Sequence, residues 1–479
     1  MAAVEVSFNG TWYPAATGGM VDAGQVFKFS DGTATTISLD ELSARVRSPR
    51  KKDAAAEGSK RKSSEAAATG KKHKSIDEKS TSSSLSSSSS SSSTTSTSSS
   101  GSSSSSSSSS STTTTSKKGV VGGVLPIKGL GGEPVLMPAV GFGTYKFKGG
   151  GTAQRATAEA LKLGYRLIDT AFVYGGEKTE GEVGKALASS TCPVPRDEVF
   201  VVTKHWRKYH GYAPTLECLD KSLSRLGLAF VDLYLMHWPG PAYTVMGKSK
   251  AVMEASPLGP FVYAHKGHER ENMRALRAET WRAMEDALKA GKCRAIGVSN
   301  MTVAHLEALK ATATVWPPAV NQVEFHPYRP SPDLVAYCRK EGIVLQAYAS
   351  LGGQDAGKAT LEALGGALMG RPEVAAVADK HGRPGNADVL LRWATQRGIA
   401  VIPKSSSTPR MRSNLAAAAG LPPPGGDEGG GLAAAAPSFN LDDEDFAVLD
   451  GLVPASGSAA AEAARLCWKT DPLKSLDFE

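Results

Sequence analysis

Four residues have side chains suited to one reaction: Asp169, Tyr174, Lys204 and His237. Asp169 and Tyr174 lie together in IDTAFVYG (168–175). Lys204 ends VFVVTK (199–204), and His237 follows VDLYLM (231–236). Reduction of a carbonyl needs a hydride donor and an acid at the carbonyl oxygen. A phenol with a pKa of about 10 can be that acid if its pKa is brought toward neutrality. A nearby ammonium does this by favouring the phenolate, and a carboxylate can hold the ammonium in place. Each residue also has a plainer reading. Asp169 could cap a helix, Tyr174 anchor a loop, Lys204 carry surface charge and His237 be a satisfied buried imidazole. The order and placement of the four together favour the chemical reading.

Their placement depends on the elements around them. Eight β-prone runs end in polar or aromatic residues: AVGFG (139–143), RLIDT (166–170), VFVVTK (199–204), VDLYLM (231–236), RAIGVS (294–299), AVNQVEF (319–325), IVLQAYA (343–349) and IAVIPK (399–404). The residues at or near those ends are Thr144, Asp169, Lys204, His237, Ser299 with Asn300, Gln322, Tyr348 and Lys404. Amphipathic helical stretches separate the runs. In ADVLLRWATQRG (387–398), for example, Val389, Leu390, Trp393 and Ala394 fall on one face. Repeats of this kind predict a (β/α)8 TIM barrel, which gathers the C-terminal strand ends on one face. The other parallel option is an open doubly wound sheet. GFGTYK (141–146) starts its glycine fingerprint but has Lys146 where the third Gly belongs, and no full fingerprint occurs elsewhere.

The barrel pattern covers residues 119–479. Residues 80–116 are all Ser or Thr except Leu85 and Gly101, and such a stretch cannot bury apolar surface to offset its conformational entropy. Residues 45–79 hold 12 Lys and Arg against 5 Asp and Glu, so the net charge of +8 is largely a property of this segment. Residues 48–118 are therefore expected to be a disordered linker. Its RKK (50–52), KRK (60–62) and KKHK (71–74) suit either a solvated tether or a nuclear-localisation or nucleic-acid contact. Residues 1–47 read as a small all-β module, with β-prone runs at 4–8, 12–15, 25–29 and 33–39 and the turn SDG at 30–32. Cys192, Cys218, Cys293, Cys338 and Cys467 are scattered, with no C-x-x-C, which favours a reducing compartment over disulfides or zinc. With no apolar run of membrane-spanning length and no secretory pattern at the start, a cytoplasmic location is expected, or a nuclear one if the basic segment directs it.

From about residue 120 onward the chain resembles the aldo-keto reductase superfamily. GFGTY (141–145), GYRLIDTAFVYGGE (164–177), VTKHW (202–206), LYLMHWP (233–239), AIGVSN (295–300), NQVEFHPY (321–328), VLLRW (389–393) and IPKS (402–405) match family blocks in family order. The resemblance implies NADPH-dependent reduction of aldehydes and ketones to alcohols, by an NADP-dependent oxidoreductase acting on CH–OH donors. It implies a protein that is usually a monomer and works without metal on a small-molecule carbonyl substrate; no membrane contact is expected, since no apolar run is long enough to span one. It implies that Tyr174 donates the proton, that Lys204 and Asp169 tune its pKa, and that His237 orients the carbonyl.

Cofactor residues follow in the same way. Ser299, Asn300 and Gln322 match positions that bind the nicotinamide carboxamide, and Tyr348 matches the aromatic stacked on the ring. Thr144 and Leu351 match cofactor-lining positions. Lys404, Ser405 and Arg410 match the site for the adenosine 2′-phosphate, which is the reason to expect NADPH over NADH. Asn414 matches an adenine contact, but Ser413 stands before it where the family commonly has Glu. Tyr145, Trp206 and Trp238 match aromatics of the substrate pocket; barrel-rim packing is the plainer reading for the two tryptophans. The stretch AYASLGG lacks the Pro of the usual A-Y-S-P-L-G, and residues 415–438 read as a low-complexity insertion.

Residues 4–47 resemble a Tudor-like or SH3-like barrel, with Trp12, Tyr13, Phe27 and Phe29 as candidates for binding a methylated side chain. Two other functions thus stay open beside the enzyme. One is an NADPH-binding sensor or scaffold with low turnover. The other is a methyl-residue reader, with methylated-protein or nucleic-acid contact through residues 1–79.

Overall fold

The computed structural model describes residues 120–467, apart from 191, 193, 241–268, 354–356, 422–438, 459, 461–463 and 465, together with five strands within residues 3–47. The chain divides into two units, Met1–Ser110 and Ser111–Glu479. In the first unit β1 (Ala3–Phe8), β2 (Thr11–Val21), β3 (Gly24–Phe29), β4 (Ala34–Ile37) and β5 (Val46–Arg47) form one antiparallel sheet in the order β4-β3-β2-β1-β5. The four β-prone runs of the sequence coincide with β1 to β4. The expected linker, residues 48–118, lies outside the described residues.

The second unit opens with a hairpin of β6 (Val124–Lys128) and β7 (Pro134–Pro138). Eight parallel strands follow: β8 (Phe142–Gly143), β9 (Leu167–Asp169), β10 (Phe200–His205), β11 (Val231–Met236), β12 (Cys293–Ser299), β13 (Val320–Glu324), β14 (Val344–Tyr348) and β15 (Ala400–Val401). They neighbour one another in chain order. The sheet closes on itself through a parallel bridge between Val140 and Val401. Gly141 N–H donates to the Val401 carbonyl at 2.8 Å, and Val401 N–H donates to the Ala139 carbonyl at 2.9 Å. The result is the expected (β/α)8 barrel rather than an open sheet.

Helices cover the outside: α1 (Thr152–Lys162), α2 (Thr179–Leu187), α3 (Tyr212–Leu226), α4 (Glu269–Lys289), α5 (Val303–Lys310), α6 (Pro332–Glu341), α7 (Lys358–Ala363), α8 (Pro372–Lys380), α9 (Asn386–Thr395), α10 (Thr408–Ala418) and α11 (Asp443–Asp450). Their buried residues recur at helical spacing. In α3 these are Thr215, Cys218, Leu219, Ser222, Leu223 and Leu226, and the helix ends at Gly227, whose φ of 65° is cheap only for glycine. On α9, Val389, Leu390, Trp393 and Ala394 are buried as the sequence periodicity required.

Because strand side chains alternate, each strand feeds two cores. Leu167, Val202, Leu233, Leu235, Ala295, Val320 and Ala400 fill the inside of the barrel, where Ile127, Val135 and Met137 of the hairpin join them. Ile168, Val201, Tyr234, Met236, Ile296 and Val298 face the helices. Leu167, Phe200, Ala295 and Ala319 sit at the start of their strands, so the hairpin plugs that end of the barrel. The described residues contain no helix long and apolar enough to cross a membrane.

Candidate active site

The same alternation aims the polar residues. Asp169 follows Leu167 by two, Lys204 follows Val202, His237 follows Leu235, Ser299 follows Gly297 and Gln322 follows Val320. Each therefore continues the inward row of its strand toward the C-terminal end. Tyr174 is placed by the turn after β9, where Tyr174 N–H donates to the Ala171 carbonyl at 3.1 Å.

Lys204 is the hub. Its side chain is 0% exposed, and Nζ donates to Asp169 Oδ1 at 2.7 Å, to the Thr170 carbonyl at 2.9 Å and to Tyr174 Oη at 3.2 Å. An ammonium has three hydrogens, and all three are used. Because Lys204 donates to Tyr174 Oη, the phenolic hydrogen is left to be donated elsewhere. Asp169 is held from the other side, since Oδ2 accepts from Gln322 Nε2 at 2.8 Å. Gln322 spends its second amide hydrogen on Gln346 Oε1 at 2.6 Å. The His237 ring stands edge-on to Tyr174 at 5.9 Å between centroids.

The electrostatics correct one expectation. The sequence reading had Lys204 draw the Tyr174 phenol toward neutrality. Instead, burial pushes its pKa well above 10, and the negative charge of Asp169 adds to the rise. Burial is the main cause, because it disfavours the charged phenolate, and Asp169, paired with Lys204 at 2.7 Å, adds to it. Lys204 is lowered by burial, against the opposing charge of Asp169. His237 is pushed well below 6.5 by burial and then by the positive charges of Lys204, His205 and Arg207, so it is neutral at pH 7. Its Nδ1 is enclosed without a hydrogen-bond partner.

Around this set the structure brings most of the expected residues together. Ser299 Oγ donates to the Gln322 carbonyl at 2.7 Å, Asn300 Nδ2 donates to the His237 carbonyl at 2.9 Å, and Tyr348 Oη donates to Asn300 Oδ1 at 2.7 Å. Thr144 Oγ1 donates to the Asp169 carbonyl at 2.8 Å. Tyr145, on the rim, lies 5.0 Å from the Tyr174 ring, and the Trp206 ring lies 5.9 Å from His237. Trp238 is half-buried beneath the Arg207 guanidinium, 5.0 Å from its ring centre. Leu351 packs onto the outer core.

A second cluster lies at the start of α10. Lys404 and Arg410 are exposed, and neither has a carboxylate within ion-pairing distance among the described residues. After burial, the Arg410 and Lys146 charges lower the pKa of Lys404. No side chain caps α10 at Ser407, and since Pro409 has no N–H, the first-turn donors are those of Thr408 and Arg410. Ser405 Oγ accepts from Ser407 N–H at 3.1 Å, and Asn414 is buried on the same helix. Crowded cations beside an uncapped helix start suit a phosphate group. Ser413, where the family commonly has Glu, donates to Asp388 Oδ1 at 2.9 Å.

The sequence reading missed two residues here. Gln346 completes the carboxamide chain from Asp169 through Gln322, and its alternation with Val344 and Tyr348 was the available signal. Glu324, buried at the end of β13, was passed over for want of any local pattern. One reading needs correction. Residues 415–418, taken as the start of an insertion, are the last turn of α10, and Leu415, Ala416, Ala417 and Ala418 are all buried. Residues 422–438 lie outside the described residues.

Comparison with known proteins agrees with this geometry. Residues 139–422 match the model of the Aldo/keto reductase family. The NAD(P)H-dependent D-xylose reductase I,II of Candida tropicalis is 39% identical over 285 residues, covering 58% of this chain and 84% of that one. The glyoxal reductase of Bacillus subtilis is 38% identical, covering 58% and 83%. Among solved structures, an aldo/keto reductase from Brucella melitensis aligns with a TM-score of 0.51 at 30% identity, covering 69% of this chain and 98% of that one. A Bombyx mori aldo-keto reductase in complex with NADP aligns with the same score at 28% identity, covering 69% and 92%. With eight parallel strands, a Tyr–Lys–Asp–His set at their ends and a family match across more than half its length, the chain belongs to the aldo/keto reductase family.

Proposed function

We propose that the barrel reduces aldehydes and ketones to alcohols with NADPH, and that Tyr174 supplies the proton. The observation that carries this reading is the saturation of Lys204, whose third hydrogen points at Tyr174 Oη and frees the phenolic hydrogen for a substrate. When bound, NADPH supplies the hydride to the carbonyl carbon. Ser299, Asn300 and Gln322 would hold its carboxamide and Tyr348 would lie under its ring, with Thr144 and Leu351 beside them. Lys404, Ser405 and Arg410 would meet its 2′-phosphate, and Asn414 its adenine.

The high pKa of Tyr174 keeps the phenol protonated until reaction. As negative charge builds on the carbonyl oxygen, Tyr174 Oη–H breaks and the proton passes to that oxygen. The phenolate left behind keeps the Lys204 hydrogen bond and is later reprotonated from solvent. Neutral His237 steers the carbonyl with its one N–H. Tyr145, Trp206 and Trp238 give the pocket an apolar wall.

Oxidation of NADPH followed at 340 nm with a panel of aldehydes and ketones tests this. Tyr174→Phe is expected to lower kcat by about 10³-fold and to leave NADPH affinity nearly unchanged. Substantial turnover by that variant would remove Tyr174 from the acid's role.

For residues 1–47 we infer a separate Tudor-like module. Its support is the antiparallel order β4-β3-β2-β1-β5, in which β1 lies between β2 and β5. Titration of the full chain with methyl-lysine and methyl-arginine peptides is expected to show weak binding that Trp12→Ala removes. Equal binding by unmethylated peptides would refute the reader function.

A further inference from the structure

One buried carboxylate takes no part in the proposed proton transfer. Glu324 ends β13, two residues beyond Gln322 on the inward row, and pairs in register with Tyr348 of β14. Only 5% of it is exposed. Among the described residues no Lys or Arg forms an ion pair with it; the one basic side chain on it is His326, whose Nε2 lies 3.1 Å from Oε1. The other donors come from the far end of the chain. Leu466 N–H donates to Oε1 at 2.7 Å, and Cys467 N–H donates to the same oxygen at 3.2 Å.

The segment held this way also backs the loop that follows Tyr348. Ala464, Leu466 and Cys467 are buried. A Cβ added to Gly353 would lie 3.0 Å from Cys467 Sγ, and one added to Gly352 would lie 2.9 Å from Leu368 Cβ and 3.7 Å from Leu466 Cδ1. Ala349, Gly352 and Gly353 all have positive φ, of 53°, 88° and 69°. Left-handed backbone at an alanine persists only where neighbours enforce it. The neighbours are Leu368 at Gly352 and the C-terminal segment at both glycines, closest at Gly353. The segment is fixed to β13 by Glu324 and packs against residues 352–353.

We infer that Glu324 is a positioning residue for the cofactor. It pins the C-terminal segment, the segment supports the 349–353 loop, and the loop sets how firmly the nicotinamide end is retained at Tyr348. This rests on the reductase reading above, since Tyr348 matters here only as the nicotinamide platform. Glu324 touches no reacting atom. Its loss is therefore expected to appear in cofactor release and not in hydride transfer.

The test uses the full chain and measures NADPH release by stopped-flow fluorescence, with single-turnover reduction alongside. Glu324→Ala is expected to speed release by about tenfold or more while hydride transfer stays within about threefold. Glu324→Gln, which keeps an acceptor oxygen for the two N–H groups, is expected to restore near-native release. Deleting residues 464–479 is expected to reproduce the alanine effect, and adding Glu324→Ala to that deletion is expected to change nothing more. Native release from a folded Glu324→Ala protein overturns the proposal. So does an equal acceleration by Glu324→Ala in the shortened chain. If Glu324→Ala fails to fold, the deletion decides, and unchanged release there overturns it. The native protein is measured first; failure to bind NADPH at all would sink the reductase reading instead.

Discussion

Three histidines, His205, His210 and His237, are enclosed near the strand ends, and burial lowers the pKa of each; for His205 it falls to about 3. His205 follows Lys204 and so faces outward, edge-on to His210 at 4.5 Å. His210 Nδ1 meets Thr280 Oγ1, which already donates to the Leu276 carbonyl and accepts from Gly211 N–H. His210 therefore carries its hydrogen on Nδ1. Below pH 6.5 the unfolded chain protonates these rings and the folded chain does not. Stability is thus fully present above the unfolded pKa and is lost as pH falls, by about 1.4 kcal/mol per pH unit for each ring. Thermal unfolding followed from pH 7.5 to pH 5 is expected to show Tm falling steeply below pH 6.5. Replacing His205 with Leu is expected to flatten that fall, and an unchanged slope would show that His205 is not buried in its neutral form.

At the scale of elements, the barrel depends on one seam. The Gly143 backbone lies so close to Ile402 that an added Cβ would sit 2.5 Å from the Ile402 carbonyl oxygen. Gly143→Ala is expected to cost about 1–3 kcal/mol and to weaken NADPH binding, because Thr144 and Lys404 flank the two sides of that seam. Chemical denaturation and nucleotide titration check the two effects separately. The seam also shows how far sequence could carry the fold. The eight inward rows were legible because alternation and strand-end chemistry repeat in each. The β6–β7 hairpin was not, since VLPIK and PVLMP carry prolines that argue against strands. The start of α4 was missed because ERENMRALR is too polar to show a period. In the site, Asp169, Tyr174, Lys204 and His237 announced themselves by type and position. Glu324 could not, because the backbone N–H groups it holds lie 142 and 143 residues downstream.

At the scale of the molecule, two units share one chain. If the barrel carries the chemistry alone, removing residues 1–118 is expected to leave kcat, KM and Tm of the barrel nearly unchanged. Steady-state kinetics on the shortened chain check this, and a marked loss would tie the N-terminal part to catalysis.

Among the described residues the hairpin fills one end of the barrel and leaves the strand-end face as its mouth, and this bears on traffic. Whatever enters last must leave first. On the proposed reading, a carbonyl lodged between Tyr145 and Trp206 would stand in the doorway of the nicotinamide, and product would depart before spent cofactor. An unreactive aromatic wedged in that doorway would hold the nucleotide inside as a stopper holds a flask, and would slow its exchange without ever touching the phosphate end.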